Sequence, residues 1–253
     1  MRKIQLVLAL LLVALLGSAK SSIPQTPVVP VENSLPNTLS PKEIQQGWQL
    51  LFDGKSTNGW KGADSKAFPS EGWKVVDGTL TSVANSPDAP VKGVDIITDS
   101  KYSAFDLQFE FNFVEGANSG VKYFIGNGGP SIGLEYQILD DQRNPDAKLG
   151  VVGNRCLAAL YDLIPIDNQG VIAKPAGEWN TGRIVVYPDN RIEHWLNGKK
   201  VLEYVRGSGI YKALVARSKY AGYEEFGMVK ETPILLQYHG DQVKFRSIKI
   251  KKL

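Results

Sequence analysis

The 253-residue chain predicts an all-β fold, an antiparallel β-sandwich of the jelly-roll kind with one or two short helices. Three observations carry this expectation. Residues 105–113 read Phe-Asp-Leu-Gln-Phe-Glu-Phe-Asn-Phe, five apolar side chains alternating strictly with four polar ones. That period of two is the signature of an antiparallel strand with one wet face. Short apolar runs then recur between turn-forming clusters such as Asp77-Gly78, Pro188-Asp189-Asn190 and Asn197-Gly198. Strand-like runs hardly ever alternate with helical ones at βαβ spacing, which excludes a parallel sheet.

The elements follow in chain order. Arg2 and Lys3 precede an apolar run from Ile4 to Leu16 and the small residues Gly17-Ser18-Ala19. This pattern predicts a signal peptide over 1–19, because a membrane span needs about 20 apolar residues. Pro24, Pro27, Pro30 and Pro36 punctuate an aperiodic stretch, expected to be a flexible linker over 20–40. One domain is expected over 41–253. It opens with Ser40-Pro41-Lys42-Glu43, an N-cap, a Pro at the first helical position and an acid in the first turn, for a helix reaching about Gln46. Hairpins are expected between Trp73–Val76 and Thr79–Val83, between Arg183–Tyr187 and Arg191–Leu196, and from there into Lys199–Tyr204. Tyr211–Tyr220 suggests a second helix. Ile234–His239 and Val243–Ile250 flank Gly240-Asp241-Gln242 and predict a closing hairpin.

Composition removes several classes of function. Formal net charge is +3 and falls to +1 without residues 1–19. The signs are interspersed, so nucleic acid is not an expected partner. Lys249, Lys251 and Lys252 alternate with Ile248 and Ile250 as the solvated side of a last strand. Cys156 is the sole cysteine, which excludes an internal disulfide and a cysteine-based zinc cluster. It reads as a buried small apolar residue. The expected location is periplasmic or secreted, without stable membrane insertion, since no cysteine stands near the cleavage site to take a lipid anchor.

The residues able to carry chemistry are polar positions on strand faces. In Gly133–Asp140, Glu135 and Gln137 share one face, Leu134, Tyr136 and Ile138 the other, and Asp140 falls where the strand meets a turn. That polar face is either the wet side of a strand or the wall of a sugar-binding cleft. Gln237 and His239 share a face in the same way, and His239 is a candidate general base or metal ligand. His194 alternates with Ile192 and Leu196 and is expected to be packed inside. Trp195, beside Glu193 and Arg191 on the opposite face, suits stacking on a sugar ring. Asn118-Ser119-Gly120 marks a turn whose amides could reach a ligand. Gly126-Asn127-Gly128-Gly129-Pro130 lacks the strand–helix context of a nucleotide site, and no Gly-x-Ser-x-Gly, His-Glu-x-x-His or EF-hand pattern occurs.

Taken in order, the motifs resemble a known family, the DUF1080 proteins or 3-keto-disaccharide hydrolases. The matching stretches run from Leu51-Phe52-Asp53-Gly54-Lys55 and Asn58-Gly59-Trp60, through Asn118–Val121, Leu134–Asp140 and Leu160–Pro165. They continue through Lys174–Asn180 and His194–Gly198 to Leu235-Leu236-Gln237, His239-Gly240 and Phe245-Arg246. The resemblance implies a concanavalin-like jelly roll and, as substrate, an oxidised sugar, a glycoside carrying a ketone at C3. Such a ketone acidifies the C2 proton, so a base can form an enolate and the C1 substituent can leave by β-elimination. On this basis Glu135 and His239 are expected as base and as metal or enolate contact, with one divalent ion between them as the candidate cofactor. Gln137, Asp140, Asn118 and Arg246 are expected to hold sugar hydroxyls, and Tyr161 to line the cleft. The chain departs from the family pattern at Tyr238, where an Asp is usual, and at Ser247, where an Asn is usual. A non-catalytic carbohydrate-binding module is the alternative on the same fold. An ordinary endo-glycanase fits less well, since its Glu-x-Asp-x-x-Glu strand is not matched by Glu135, Gln137 and Asp140.

Overall fold

Alternating strands do become two antiparallel sheets packed face to face, as a computed structural model shows. It describes residues 35–253 apart from 89, 127, 168, 169, 171 and 172. The expected signal peptide and all of the linker before residue 35 therefore lie outside the described residues, as does Asn127 of the glycine loop. In chain order the strands are β1 (Gln49–Leu50), β2 (Trp60–Gly62), β3 (Trp73–Val76), β4 (Thr79–Ser82), β5 (Ile96–Thr98) and β6 (Phe105–Phe113). Then come β7 (Asn118–Tyr123), β8 (Leu134–Leu139), β9 (Asn180–Val186), β10 (Arg191–Leu196), β11 (Lys199–Val205), β12 (Leu235–Leu236) and β13 (Val243–Lys252). Among the described residues there are two short α-helices, α1 (Pro41–Gln45) and α2 (Gly209–Val215).

The larger sheet runs β11-β10-β9-β6-β13-β4-β3, with β1 also on β13; the smaller runs β2-β5-β12-β7-β8. The phenylalanines of β6 point inward and meet the small sheet's inner face, with the Phe109 and Tyr136 rings 5.4 Å apart and edge to face, and Phe105 and Tyr123 6.4 Å apart. Each such ring buries on the order of 150–250 Å², so this one strand supplies much of the core. His194 is fully buried among these rings, as expected. Its Nδ1 lies 2.9 Å from the Ala158 carbonyl, which can only accept. Nδ1 therefore carries the proton, and Nε2 accepts from the Tyr123 hydroxyl at 2.7 Å.

The turn chemistry works as the sequence suggests. Asp77 (φ 49°) and Gly78 (φ 72°) both take positive φ, as do Asn197 (φ 48°) and Gly198 (φ 78°), the geometry that a two-residue hairpin turn demands. Ser40 and Glu43 form a reciprocal capping box at the start of α1. The fold nevertheless begins inside the expected linker. Asn37 accepts from the Ser247 amide at 2.8 Å and donates to the Gly78 carbonyl at 2.8 Å, which ties residues 35–40 to the large sheet. Ser247 sits at φ 50° in a bulge of β13, a backbone state that Asn tolerates better than Ser.

The expected closing hairpin is not formed. β12 pairs with β5 and β7 in the small sheet, whereas β13 pairs with β6, β4 and β1 in the large one. Gly240-Asp241-Gln242 is a corner between sheets. It is pinned by Asp241, whose Oδ2 accepts from the Asn118 amide at 2.9 Å and whose carbonyl accepts from Ser82 Oγ at 2.7 Å. Cys156 is half-buried rather than buried. Its surroundings push the thiol up to about 11, which leaves it protonated and unreactive.

Candidate active site

The outward face of the small sheet gathers the polar residues, and β7 and β8 set their register. Lys122 lies directly opposite Glu135, and Gly120 opposite Gln137. β12 adds the next column, with Leu235 beside Lys122 and the Gln237 amide bonded to the Gly120 carbonyl at 2.9 Å. Strand alternation thus places Glu135, Gln137, Gly120, Lys122 and Gln237 on one surface. Gly120 matters because it has no side chain. A Cβ there would stand 2.4 Å from Glu135 Oε1, so the carboxyl group lies across the glycine.

This face is not the wet side of a strand. Glu135 is 4 % exposed and Gln137 fully buried. Lys122 Nζ lies 3.5 Å from Glu135 Oε2. Turning the Gln137 amide so that its NH₂ meets acceptors puts that group 2.9 Å from Glu135 Oε1 and 3.1 Å from the Ser119 carbonyl. Burial raises the Glu135 carboxyl above the ordinary range, against the opposing pull of Lys122 and Lys219. The Lys219 ammonium stands 4.0 Å from the Tyr161 ring centroid and 5.1 Å from that of Tyr220. Desolvation lowers it, although Glu135 pulls the other way.

A salt-bridged frame holds these groups. Tyr161 donates to Asp146 at 2.7 Å, Arg155 binds Asp146 at 2.9 Å and Asp162 at 2.6 Å, and the Lys219 amide donates to Asp162 at 2.8 Å. The segment carrying Tyr161 is itself laid along the edge of β8, with the Tyr161 amide donating to the Glu135 carbonyl at 3.0 Å. On the other side, Lys122 donates to the Ser131 carbonyl at 3.2 Å. Ser131 is one wall of a cavity of about 260 Å³ that Asp95 and Tyr238 also line. Gln237 Oε1 is buried without a hydrogen-bond partner among the described residues. Such an acceptor is costly unless a ligand donor satisfies it.

The structure separates the remaining expected site residues. Asn118 stays with the cluster, 3.3 Å from the Gln137 side chain. Asp140 is the cap of the turn after β8: its carboxylate accepts from the amides of Gly116 at 2.8 Å and Gln142 at 3.2 Å, and its pKa falls, the backbone bonds and Arg143 outweighing burial. Arg246 and Trp195 are on the outer face of the large sheet, with the core between them and Glu135. Arg246 binds Glu110 at 2.9 Å, and Trp195 donates to Glu193 at 2.8 Å. The cause is parity: Phe245 and His194 point inward, so their neighbours must point out. His239 is exposed beyond the end of β12 and shares no hydrogen bond or ion pair with Glu135. Among the described residues no three His, Cys, Asp or Glu side chains come together as a ligand set. A divalent ion held between Glu135 and His239 does not fit this arrangement, because Lys122 and Gln137 already occupy the carboxylate. Tyr238 packs against Gly93, where a Cβ would be 2.3 Å from its ring, and its amide donates to Asp95 at 2.8 Å.

Two lysines escaped the sequence analysis. Lys122 was legible, since Asn118, Gly120 and Lys122 alternate opposite Glu135 and Gln137 once the two strands are paired. Lys219 and Tyr220 follow α2 and are remote in sequence, so no local pattern announces them.

Comparisons with known proteins bear on the family and the fold. The family model described as a 3-keto-α-glucoside-1,2-lyase-like domain matches residues 47–251. A Bacteroides thetaiotaomicron protein named 3-keto-disaccharide hydrolase is 34 % identical over 232 residues, covering 82 % of this chain and 79 % of that protein. A crystal structure of a candidate glycosyl hydrolase from Parabacteroides distasonis is 29 % identical, with a TM-score of 0.74 over 87 % of this chain and 100 % of that one. A second from the same organism is 27 % identical, with a TM-score of 0.61 over 81 % and 99 %.

Proposed function

The chain belongs to the 3-keto-α-glucoside-1,2-lyase-like family, and from that premise we propose that it cleaves 3-keto-glycosides by β-elimination. The observation that carries this reading is the buried, pKa-raised Glu135 set against Lys122 and Lys219. A carboxylate with a raised pKa is a stronger base, suited to taking a carbon-bound proton made acidic by a neighbouring ketone.

Glu135 takes the C2 proton, and the C2–H electrons form an enolate whose negative charge rests on the C3 oxygen. Lys122 supplies positive charge there, in a site from which water is largely excluded. The enolate then collapses, C1=C2 forms, and the C1–oxygen bond breaks. Lys219, an ammonium with a lowered pKa, gives a proton to the leaving oxygen. The product is a 2-hydroxy-3-keto-glycal, and water added across it completes a net hydrolysis. Gln237 and Asn118 hold sugar hydroxyls, while Gln137 holds the Glu135 carboxyl. Paired carboxylates flanking an oxocarbenium ion are not required. Export follows in the same proposal from Arg2, Lys3 and the run Ile4–Leu16.

The test is incubation with a 3-oxidised glucoside and with its unoxidised parent, with and without a chelator. Aglycone released from the ketone alone, unaffected by chelator, is the expected result. Cleavage of the parent would instead indicate an ordinary glycanase, and binding without turnover a carbohydrate-binding module.

A further inference from the structure

We propose that the outer face of the large sheet carries a second, non-catalytic site for a uronic-acid unit of a polysaccharide. Lys74, Thr81, Lys244 and Asn112 form one cross-strand row through β3, β4, β13 and β6. Adjacent strands are about 4.8 Å apart, which puts the two lysine backbones roughly 10 Å apart on either side of Thr81. Neither lysine side chain has an ion pair or hydrogen bond among the described residues. Two unpaired like charges on one stretch of sheet are an unfavourable arrangement that a bound anion would relieve.

The surroundings specify more than charge. Lys74, Lys244, Arg246, Thr81 and Trp179 line a cavity of about 320 Å³. Asp77 also lines it, but Arg246 is already neutralised by Glu110 at 2.9 Å, so the two lysines set the sign. Arg246 sits 3.9 Å over the Trp179 ring and holds the indole at the cavity edge. The loop bearing Trp179 is fixed by Asn112, which donates to the Gly177 carbonyl at 2.6 Å. Thr79 donates its hydroxyl proton to the Val76 carbonyl at 2.7 Å, so Thr81, 2.7 Å away, donates to Thr79 and keeps its own lone pairs for an incoming donor. A uronate meets all three demands: a carboxylate for the lysines, a hydroxyl for Thr81 and a C–H face for the indole. A neutral sugar leaves the lysines unused. This site and Glu135 lie on opposite outer faces, so it stands or falls independently of the proposed cleavage reaction.

Affinity electrophoresis of the whole protein through gels containing polygalacturonate or dextran tests it. Polygalacturonate should retard the protein at low ionic strength and dextran should not. Lys244→Glu and Trp179→Ala should each weaken retardation by about fivefold or more, an effect that shrinks as salt screens the charges. Lys74→Glu, at an exposed side chain, reads the same expectation without disturbing packing. Lys66→Glu, an equal charge change at an exposed position outside the cavity lining, and Glu135→Gln should both leave retardation unchanged. Equal retardation by dextran, an equal effect of Lys66→Glu, or indifference to Trp179→Ala and Lys74→Glu would overturn the proposal.

Discussion

At the scale of single residues, the Glu135 carboxyl is defined by what lies beneath and beside it. Gly120 leaves it room, Lys122 and Gln137 hold it, and burial raises its pKa. Glu135→Gln should lower the elimination rate by about 10²–10⁴-fold with an unchanged circular dichroism spectrum, since the base is lost and the shape kept. Gly120→Ala should also abolish most turnover, because its Cβ would push the carboxyl aside; a normal rate in that variant would detach Glu135 from the chemistry. The pH profile carries a sign. Glu135 must be ionised to act, and its pKa is raised, so kcat/KM should climb with pH through an acid limb lying above the usual value for a glutamate. An acid limb at or below the ordinary 4.5 would contradict the burial argument.

At the scale of elements, β6 was legible to the residue, since its alternation has no competing interpretation. Phe109→Ala there should cost about 3–5 kcal/mol in chemical denaturation, as the ring packs on Tyr136 across the sandwich. The last pair of strands shows the opposite case. Both 234–239 and 243–250 look like strands, and both contain one, but a turn-rich link says nothing about which sheet each strand joins. That choice rests on distant partners, β5 and β7 for one and β6 and β4 for the other. Asp241→Ala should reveal the corner by leaving the Asn118 amide unpartnered, at a cost of about 1–3 kcal/mol. A hairpin would lose far less.

At the scale of the whole molecule, the core between the two sheets encloses His194, whose burial makes a signed contribution to the pH dependence of stability. Burial lowers His194 from 6.5 to about 4. Above pH 6.5 it is neutral whether folded or not, so no penalty arises. As pH falls through 6.5 the unfolded chain gains a proton that the folded core refuses, and stability is lost progressively down to about pH 4. The His194 contribution to that loss amounts to roughly 3 kcal/mol by proton linkage. Asp141, raised to about 6 by burial, and Glu135, also raised, work in the opposite direction. The His194 contribution is therefore read as the difference between urea titrations of the protein and of His194→Gln across that window. The variant should gain stability relative to the protein as pH falls from 6.5 to about 4, whatever its effect on absolute stability. A constant difference between the two across that window would contradict the burial of His194.

The sequence by itself determined the all-β class, the nine strands β3, β4, β6 and β8 to β13, the tight turns at 77–78 and 197–198 and the parity of those strands. The short β1, β2 and β5 carry too few residues to alternate, and Asn118-Ser119-Gly120, expected as a turn, is the start of β7. Alternation and turn residues are local, and local rules suffice for them. It also singled out Glu135 with Gln137 and Asn118. Only the tertiary structure decided that this face is buried, that Lys122, Lys219 and Tyr220 surround it, and that Arg246 and Trp195 stand on the far side of the core. Parity says that a side chain points away from its neighbour, but not which sheet, or which side of the sandwich, it then faces. That is fixed by strand pairings between residues more than a hundred positions apart, such as Arg246 with Glu110.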